Sequence, residues 1–270
     1  MKKILCTGGR GFIGSHLVPL LRKEHRVKVW DLIDGKDIFA LKFEKAVKWA
    51  DVVIHLAAET SVLGSFNRPK EFMYLNVLGT SRVCELAAKY GAKLIFPSSA
   101  AVYFRNLSPY AESKALAEDI CANVQQYHPV TILRFYNVYG TNMNANSGSI
   151  MYNFATSIVK DKKVVVFGSG DQTRDFISIK DIVSIIKAAI SKKWDGKIVD
   201  VGTGQAHTIN YIAELFAHYG KGVVTYHEVP KREIKWSIAR PDILKTLFKK
   251  PFKTNLEIDI KEIVEYYAKH

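Results

Sequence analysis

The sequence predicts an α/β protein with a doubly wound parallel sheet, and three observations support this fold class. Short apolar runs alternate with amphipathic helical patterns through the first half of the 270 residues, as in strands joined by crossover helices. A glycine-rich turn joins the first apolar run to the first helical pattern. The second and fourth runs end in Asp31 and Ser99, at the strand ends where open α/β sheets bind ligands.

The first strand and the turn after it predict a phosphate-binding site. The apolar run at Ile4 leads into Gly8, Gly11 and Gly14. Gly8 permits a tight turn, Gly11 lets the backbone approach a pyrophosphate, and Gly14 lets the helix pack closely on the strand. The helix N-terminus offers N–H groups and a positive dipole end to the phosphates. Pro19 falls inside this helical pattern, and we expect it to kink the helix or to remove a backbone hydrogen bond.

The end of the second strand predicts the choice of dinucleotide. Residues 27–31 end in the Asp31 carboxylate, about 20 residues beyond the glycine turn, where it can accept hydrogen bonds from ribose hydroxyls. No Arg follows Asp31 directly, and a carboxylate there would repel a 2′-phosphate. The sequence therefore predicts a Rossmann-like dinucleotide-binding domain that binds NAD in preference to NADP.

The remainder of the chain predicts more strands and a smaller C-terminal substrate-binding lobe. The polar stretch 141–149 is expected to form a loop, and the lysine-rich tail from Tyr226 is expected to belong to the smaller lobe. Further strands are predicted at 51–58, 93–96, 130–135, 164–167 and 198–201, with helices at 76–91 and 110–127. The predicted Rossmann domain comprises 1–140 with 172–205, and the predicted substrate-binding lobe comprises 141–171 with 206–270.

Composition narrows the class of protein. Hydrophobic residues make up 48% of the chain, enough for a substantial core, and no apolar run is long enough to span a bilayer. The first strand begins directly after Lys3, so we expect no signal peptide. Cys6, Cys84 and Cys121 lack metal-ligand spacing and are expected to be buried thiols in a reducing compartment. These features favour a cytoplasmic protein without a metal or a membrane.

The spacing of Tyr110 and Lys114 predicts acid/base chemistry. Residues four apart share one face of a helix, and an ammonium beside a phenol favours the phenolate and lowers its pKa. An oxidised nicotinamide would add further positive charge, so that Tyr110 can act as an acid/base near neutral pH. Ser99 closes the fourth strand, and its hydroxyl can bond the same substrate oxygen. Such a pair is common by chance, but inside a dinucleotide-binding fold the catalytic interpretation is favoured.

The net charge of +13 raises the alternative of a nucleic-acid-binding protein. The basic residues are dispersed through most of the chain, and no motif interleaves aromatic and basic residues. A non-catalytic RNA-binding protein would also have no need for Ser99, Tyr110 and Lys114 together. We therefore expect no nucleic-acid partner, and a lysine-rich surface that favours an anionic substrate.

Taken together, these motifs resemble those of the extended short-chain dehydrogenases/reductases of the nucleotide-sugar epimerase/dehydratase type. The matching segments span most of the chain, and jointly they are highly specific. They are residues 7–14, 55–58, 76–80, 98–103, 110–114, 134–140 and 174–176.

The resemblance implies roles for individual residues and a homodimer. The implied catalytic residues are Ser99, Tyr110 and Lys114. The implied cofactor-binding residues are Gly8, Gly11, Phe12, Ile13, Gly14, Asp31, Asp37, Ile38, Leu56, Ala57, Ala58, Asn76, Tyr110 and Lys114, with Asp37 and Ile38 near adenine. The implied nucleotide-sugar contacts are Ser99, Asn137, Arg174 and, by a looser match, Arg232. The implied dimer interface pairs the helices at 76–90 and 110–127 with their copies.

Two departures from the family pattern bear on the reaction. Only residues 104–109 separate Tyr103 from Tyr110, where relatives usually have a longer loop. Ala100 and Ala101 stand where 4,6-dehydratases have an Asp-Glu pair, so no carboxylic acid there can protonate a leaving hydroxyl. We predict an NAD-dependent nucleotide-sugar 4-epimerase that transiently oxidises C4 of a UDP-, dTDP- or GDP-linked hexose. The alternative is an NAD(P)H-dependent nucleotide 4-keto-6-deoxysugar reductase, which uses the same triad.

Overall fold

The computed structural model describes residues 1–145, 148–228 and 234–270. Its strands are β1 (Lys3–Thr7), β2 (Arg26–Trp30), β3 (Val52–His55), β4 (Lys93–Ser99), β5 (Val130–Phe135), β6 (Asn137–Tyr139), β7 (Lys163–Phe167), β8 (Thr173–Arg174), β9 (Phe176–Ser178), β10 (Lys197–Val201), β11 (His207–Thr208), β12 (Val223–His227) and β13 (Trp236–Ser237). Its α-helices are α1 (Phe12–Arg22), α2 (Leu41–Trp49), α3 (Val62–Asn67), α4 (Pro69–Phe72), α5 (Thr80–Tyr90), α6 (Pro109–Val124), α7 (Ile150–Asp161), α8 (Ile179–Ala189), α9 (Ile209–Gly220), α10 (Asp242–Leu247) and α11 (Leu256–Tyr267).

The predicted doubly wound sheet is confirmed. Six strands form one sheet in the order β10-β5-β4-β3-β1-β2, and the β1–β2, β1–β3, β3–β4 and β4–β5 pairs are parallel. The chain first moves outward from β1 to β2 and then continues on the other side of β1 with β3. This reversal opens a crevice at the carboxyl ends of β1 and β3, which is where such sheets bind ligands.

The central strands form because their side chains are apolar on both faces. Ile4, Leu5 and Cys6 in β1 are fully buried, and all of β3 is buried. A near-continuous apolar run of this kind is typical of a parallel strand covered by helices on both sides. Helices α2, α5 and α6 supply part of that cover, and the core between them and the sheet includes Phe43, Val83, Leu94, Phe96 and Cys121.

The chain divides into two compact units. The first comprises Met1–Phe135, Val183–Asp200 and Ile243–Lys249, and the second comprises Tyr136–Ile182, Val201–Asp242 and Lys250–His270. Within the second unit, β12 pairs with β7, β6 pairs with β9, and β8 lies between β11 and β13. The tail also contains helix α11, which the sequence analysis did not predict. Its N-terminus is capped by the Asn255 side chain, which accepts a hydrogen bond from the Ile258 N–H at 3.2 Å.

Helix α1 continues past its proline, and the helix predicted from Asn76 begins earlier than expected. Helix α1 runs through Pro19 to Arg22, because Pro19 lies on the exposed side of the helix, where water can replace the missing backbone bond. The helix predicted from Asn76 begins earlier, since Met73–Gly79 forms a π-helix that continues into α5. Among the described residues, no helix is both long and apolar enough to cross a membrane.

Candidate active site

The glycine turn after β1 is shaped by close backbone packing. Gly8 has a φ of +65°, and a Cβ added there would lie 2.5 Å from the Ala57 nitrogen. A Cβ at Gly14 would lie 2.5 Å from the Gly9 Cα, so α1 packs directly on the turn. A Cβ at Gly11 would meet only the Gly8 carbonyl oxygen, at 3.3 Å. The surrounding backbone therefore excludes a side chain at Gly8 and at Gly14. At Gly11 the space beside the Cα is largely open.

The N-terminus of α1 fits the pyrophosphate of a dinucleotide. The helix begins at Phe12 and Ile13 without a side-chain cap, and its first turn contains no acidic residue. Its N–H groups and positive dipole end therefore face the open side of the turn at Gly11. These residues would hold the phosphates.

Asp31 lies beside this turn, directly after β2. One carboxylate oxygen accepts a hydrogen bond from the Arg10 N–H at 2.8 Å, and the other accepts one from the Ile33 N–H at 3.1 Å. A carboxylate can accept about four hydrogen bonds, so Asp31 can still accept hydrogen bonds from ribose hydroxyls. The backbone contacts hold a buried carboxylate at the edge of the glycine turn, and its contact to an NAD ribose stays a prediction.

A buried histidine supports the other wall of the crevice. The His55 Nδ1 lies 2.7 Å from the Thr7 Oγ1, and its Nε2 lies 3.3 Å from the Thr80 Oγ1. Burial and the charge of Lys114 lower the pKa of His55 to about 3, so the ring is neutral. His55 is therefore a packed core residue at the end of β3. Three partly exposed residues, Leu56, Ala57 and Ala58, follow it at the end of β3.

Asn76 is fully engaged inside the π-helix. Its amide nitrogen donates to the Ser113 hydroxyl at 2.9 Å and to the Glu59 carbonyl at 3.0 Å, and its oxygen accepts from the Glu59 N–H at 2.9 Å. Ser113 in turn donates to the Tyr110 carbonyl at 2.8 Å. Asn76 therefore joins the segment after β3 to the first turn of α6. Such π-helical turns are frequent at functional sites.

The two residues expected near adenine differ in environment. Ile38 is buried in the core, 4% exposed, and its carbonyl accepts a hydrogen bond from Arg82 Nε at 3.0 Å. The Asp37 side chain is exposed and accepts from the Phe39 N–H at 2.9 Å. The adenine contact of this pair stays a prediction.

The structure brings Ser99, Tyr110 and Lys114 together at the end of β4. The Ser99 and Tyr110 hydroxyls lie close enough to influence one another, and the Ser99 oxygen accepts a hydrogen bond from the Ala101 N–H at 3.1 Å. The buried Lys114 ammonium donates to the Pro97 carbonyl at 2.8 Å and lies 4.6 Å from the centroid of the Phe96 ring.

The electrostatics of this triad differ from the expectation in one respect. Burial raises the pKa of Tyr110, and the nearby Ser99 hydroxyl offsets that rise only in part. Burial also lowers the pKa of Lys114 to about 8, against the opposing influence of Cys121 and Glu118. The predicted lowering of the tyrosine pKa is therefore not found, because Lys114 turns toward the β4 backbone and is itself desolvated.

Asn137 and Arg174, two of the four residues expected to contact the sugar nucleotide, lie in the second unit. The Asn137 backbone and side-chain N–H groups both donate to the Asp175 carbonyl, at 3.1 and 2.9 Å. Arg174 lies in β8 and donates to the Thr173 carbonyl at 2.9 Å. Arg232 lies outside the described residues.

Sequence reasoning assigned no role to two buried carboxylates. Asp175 is fully buried and accepts hydrogen bonds from Thr203, Gly204 and Ala239. Glu118 is 6% exposed on α6 and accepts a hydrogen bond from Ser98. A signal existed for each: Asp175 lies inside the matched segment 174–176, and Glu118 follows Lys114 at helical spacing.

A dinucleotide crevice beside a Ser, Tyr and Lys triad defines a dinucleotide-dependent enzyme of the short-chain dehydrogenase/reductase class. The chain belongs to the NAD dependent epimerase/dehydratase family, whose model matches residues 4–202. Its cofactor is NAD.

Individual relatives cover most of the chain but carry out different reactions. A putative UDP-glucose 4-epimerase of Methanocaldococcus jannaschii is 31% identical over 250 residues, covering 80% of this chain and 81% of that protein. A UDP-N-acetyl-alpha-D-glucosaminuronate decarboxylase of Bacillus cytotoxicus is 27% identical, covering 98% of each chain. A UDP-N-acetylglucosamine 4-epimerase from Methanobrevibacter ruminantium, solved with UDP-N-acetylmuramic acid, superposes with a TM-score of 0.90 at 27% identity, covering 99% of this chain and 98% of that chain.

Proposed function

We propose that this enzyme is an NAD-dependent nucleotide-sugar 4-epimerase. The observation that carries the proposal is the triad at the end of β4 together with its neighbours. The Ser99 and Tyr110 hydroxyls lie close enough to influence one another, Lys114 lies one helical turn from Tyr110, and the two residues that follow Ser99 are Ala100 and Ala101. The site thus has groups for reversible oxidation of an alcohol, and the residues after Ser99 add no acid to expel a hydroxyl. Two relatives named as 4-epimerases agree with this choice.

The three side chains divide the work at the C4 oxygen of the sugar. NAD, when bound, supplies hydride acceptance from C4 and return of the hydride to the same carbon. In its phenolate form, Tyr110 would take the proton of the C4 hydroxyl as the ketone forms, and the resulting phenol would give that proton back when the ketone is reduced. Ser99 orients the C4 oxygen, and Lys114 supplies a positive charge close to the phenol. Because the keto sugar rotates between the two transfers, the hydride returns to the opposite face.

The substrate class follows from charge and from arginine chemistry. Arg174 is proposed to bind the pyrophosphate of a UDP-, dTDP- or GDP-sugar, because a guanidinium can make two parallel hydrogen bonds to phosphate oxygens. Asn137 is proposed as a further contact to the sugar nucleotide. The first substrates to try are UDP-hexoses, since the two 4-epimerase relatives are named for UDP-sugars.

The decisive experiment follows the C4 epimer of UDP-glucose and UDP-N-acetylglucosamine by NMR, with catalytic NAD. Wild-type enzyme is expected to form the epimer. Tyr110→Phe is expected to lower kcat by about 10²–10⁴-fold while NAD binding persists, because the proton acceptor is lost. Ser99→Ala is expected to cost less, because water can replace the hydroxyl in part. A Tyr110→Phe variant with normal kcat would overturn the proposed mechanism.

The same experiment separates the competing reactions. A reductase would leave hexoses unchanged and would consume NAD(P)H stoichiometrically with a 4-keto-6-deoxysugar. A decarboxylase would release CO2 from a UDP-linked hexuronic acid. Either outcome without epimerisation would contradict the 4-epimerase proposal.

We also propose that the enzyme is a homodimer through the helices at 76–90 and 110–127. Tyr74 and Leu78 are more than half exposed and border an apolar groove that also includes Pro69, Met73 and Val77. Burying this groove against a second copy would remove apolar surface from water. Sedimentation velocity at micromolar concentration is expected to show a dimer, and Leu78→Asp is expected to weaken it. A wild-type monomer would contradict the proposal.

A further inference from the structure

Helix α6 is fastened to β4 by a row of polar contacts. Tyr110, Lys114 and Glu118 follow one another at four-residue spacing and therefore lie on one face of the helix. Tyr110 lies beside the Ser99 hydroxyl, and Lys114 donates to the Pro97 carbonyl at 2.8 Å. The Ser98 hydroxyl donates to a Glu118 oxygen at 2.6 Å. The first two contacts belong to the proposed catalytic triad, and the third extends the row one turn deeper.

Glu118 is held by a second set of charged contacts from β5. The Arg134 Nε donates to Glu118 Oε1 at 2.9 Å, and a terminal guanidinium nitrogen bonds the same oxygen. The other terminal nitrogen donates to the Tyr103 hydroxyl at 2.6 Å, and that hydroxyl donates to Asp200 at 2.8 Å. Tyr103 lies in the 3₁₀ segment Ala100–Leu107, the short connection between Ser99 and α6. The network therefore fixes both ends of the segment that joins the catalytic serine to the catalytic tyrosine.

Burying a carboxylate costs free energy, because the charge loses its hydration, unless hydrogen bonds and an opposite charge compensate. Both Glu118 oxygens have partners, but an apolar residue of similar size is often at least as stabilising as a buried ion pair. Glu118 also lies one helical turn from Lys114, whose ammonium is buried. The negative charge of Glu118 favours the protonated form of this lysine. An apolar residue in its place would leave Lys114 with less compensation for its burial.

We propose that Glu118 is a positioning residue of the active site, which fixes α6 on β4 and supplies the negative charge that keeps Lys114 protonated. The proposal rests on the proposed function, because it concerns the same Tyr110 and Lys114. The carboxylate works against the burial that lowers the pKa of Lys114 to about 8. Three titratable groups influence Lys114 directly, namely His55 on β3 and Glu118 and Cys121 on α6. Tyr110 lies one helical turn from Lys114, Cys84 on α5 contacts Cys121, and Arg134 on β5 pairs with Glu118.

The direct test measures the titration of Lys114 by NMR of protein labelled at the lysine ε carbons. The Lys114 signal is identified by its absence in Lys114→Met. In Glu118→Gln, which keeps the shape of the side chain, we expect Lys114 to lose its proton about one pH unit lower than in wild type, as the loss of one nearby charge predicts. Ser98→Ala is the matched control: it removes the same contact without changing charge, and it is expected to leave the titration unchanged.

A second variant guards against misfolding of Glu118→Gln. Arg134→Gln removes the positive partner of Glu118, so Lys114 is expected to hold its proton to higher pH than in wild type. The two variants thus shift the titration in opposite directions, whereas a purely structural role predicts no shift in either. Unchanged Lys114 titration in a folded Glu118→Gln or Arg134→Gln protein would overturn the proposal.

The activity profile supplies a separate readout. With a UDP-hexose that the wild type epimerises, the alkaline limb of kcat/KM is expected to move about one pH unit lower in Glu118→Gln. If Tyr110→Phe retains full activity, the proposed function fails, and the NMR titration still decides the role of Glu118. If the NMR titration shifts but the alkaline limb does not, Glu118 sets the charge of Lys114 without serving catalysis, and the proposal is wrong.

Discussion

At the scale of single residues, this protein buries ionisable side chains, and burial changes their pKa values. Lys114 is 5% exposed, and its ammonium has the Pro97 carbonyl and the Phe96 ring as close partners. Neither partner carries a full negative charge. The loss of hydration on burial therefore outweighs these contacts, and the pKa of Lys114 falls from 10.5 to about 8. His55, in contrast, is uncharged in the folded protein, because its buried ring is neutral and lies between two threonine hydroxyls.

The shifted pKa of Lys114 predicts a stability cost that depends on pH. Between about 8 and 10.5 the unfolded chain holds a proton on this lysine that the folded protein has lost, so stability rises with pH in that window. Lys114→Met removes the cost and is expected to be more stable than wild type at pH 7, by on the order of 2 kcal/mol after the lost carbonyl contact. Urea unfolding at pH 7 and pH 9.5 should show this advantage shrinking at the higher pH. The exposed Lys42→Met is the control, and equal pH slopes for Lys114→Met and wild type would contradict the prediction.

Asp31 carries the prediction on cofactor preference. Asp31→Ala removes the carboxylate at the end of β2 and is expected to weaken NAD binding roughly tenfold, the cost of a lost hydrogen bond to a charged group. The preference for NAD over NADP should narrow at the same time, because the repulsion of a 2′-phosphate is also lost. Calorimetric titration with each cofactor measures both effects. Asp34→Asn, three residues after Asp31, is the control for lost charge, and tighter binding of NADP than NAD by wild type would refute the role of Asp31.

At the scale of elements, short strands in the second unit depend on side chains for their placement. β8 and β13 have only two residues each, too few for backbone pairing alone to define a sheet. Asp175, directly after β8, compensates because its carboxylate accepts from the Thr203 N–H and hydroxyl, the Gly204 N–H and the Ala239 N–H, at 2.7 to 3.2 Å. A Cβ at Gly202 would lie 2.6 Å from this carboxylate, so the loop packs tightly around it.

Replacing Asp175 should therefore destabilise the second unit even when the shape is kept. In Asp175→Asn, the new NH2 group faces backbone donors whichever way the amide turns, so at least one donor loses its acceptor. We expect a loss of roughly 2–4 kcal/mol in the free energy of unfolding, and more in Asp175→Ala. Denaturant unfolding compares both with Asp171→Asn, an exposed carboxylate four residues earlier. A loss for Asp175→Asn within 0.5 kcal/mol of the control would show that the network is dispensable.

At the scale of the whole molecule, the net charge of +13 and the proposed ligands are matched in sign. NAD and nucleotide-sugars are both anions, so a basic protein attracts them, and salt weakens the attraction. The dispersed lysines also keep the protein far from zero net charge, which favours solubility. Neither effect selects one sugar or nucleobase, so that choice depends on local contacts.

Thermal stabilisation by nucleotide-sugars should identify the nucleobase. With NAD present, a ligand at about 100 times its Kd stabilises the folded protein by about 2.7 kcal/mol, which raises the melting temperature measurably. We expect UDP-sugars to stabilise most, followed in the same scan by dTDP- and GDP-sugars. Arg174→Ala should abolish the nucleotide-sugar shift and preserve the shift caused by NAD alone. Equal loss of both shifts would show that Arg174 does not act on the nucleotide-sugar.

The redox balance of the whole reaction provides a further check. Epimerisation consumes no reductant, so the absorbance at 340 nm should be the same before and after the epimer reaches equilibrium. A net rise or fall in proportion to product would identify an oxidation or a reduction instead.

Local patterns in the sequence were enough for the fold class, the glycine turn and the grouping of Tyr110 with Lys114. Each depends on residues close in sequence: an alternation of strand and helix periods, three glycines in one turn, and two side chains one helical turn apart. The backbone geometry of such short stretches follows from steric rules that act over a few residues. The family could be named from the same stretches.

Only the tertiary structure decided which charges meet. Tyr103 meets Asp200 across 97 residues of chain, and the carbonyl of Pro97 draws the Lys114 ammonium toward β4, so that burial governs the pKa of Tyr110. The exposure of Pro19, which lets α1 continue, is likewise set by the side of the helix that faces the sheet. These outcomes depend on desolvation and on partners brought from distant segments, and neither is encoded in local spacing.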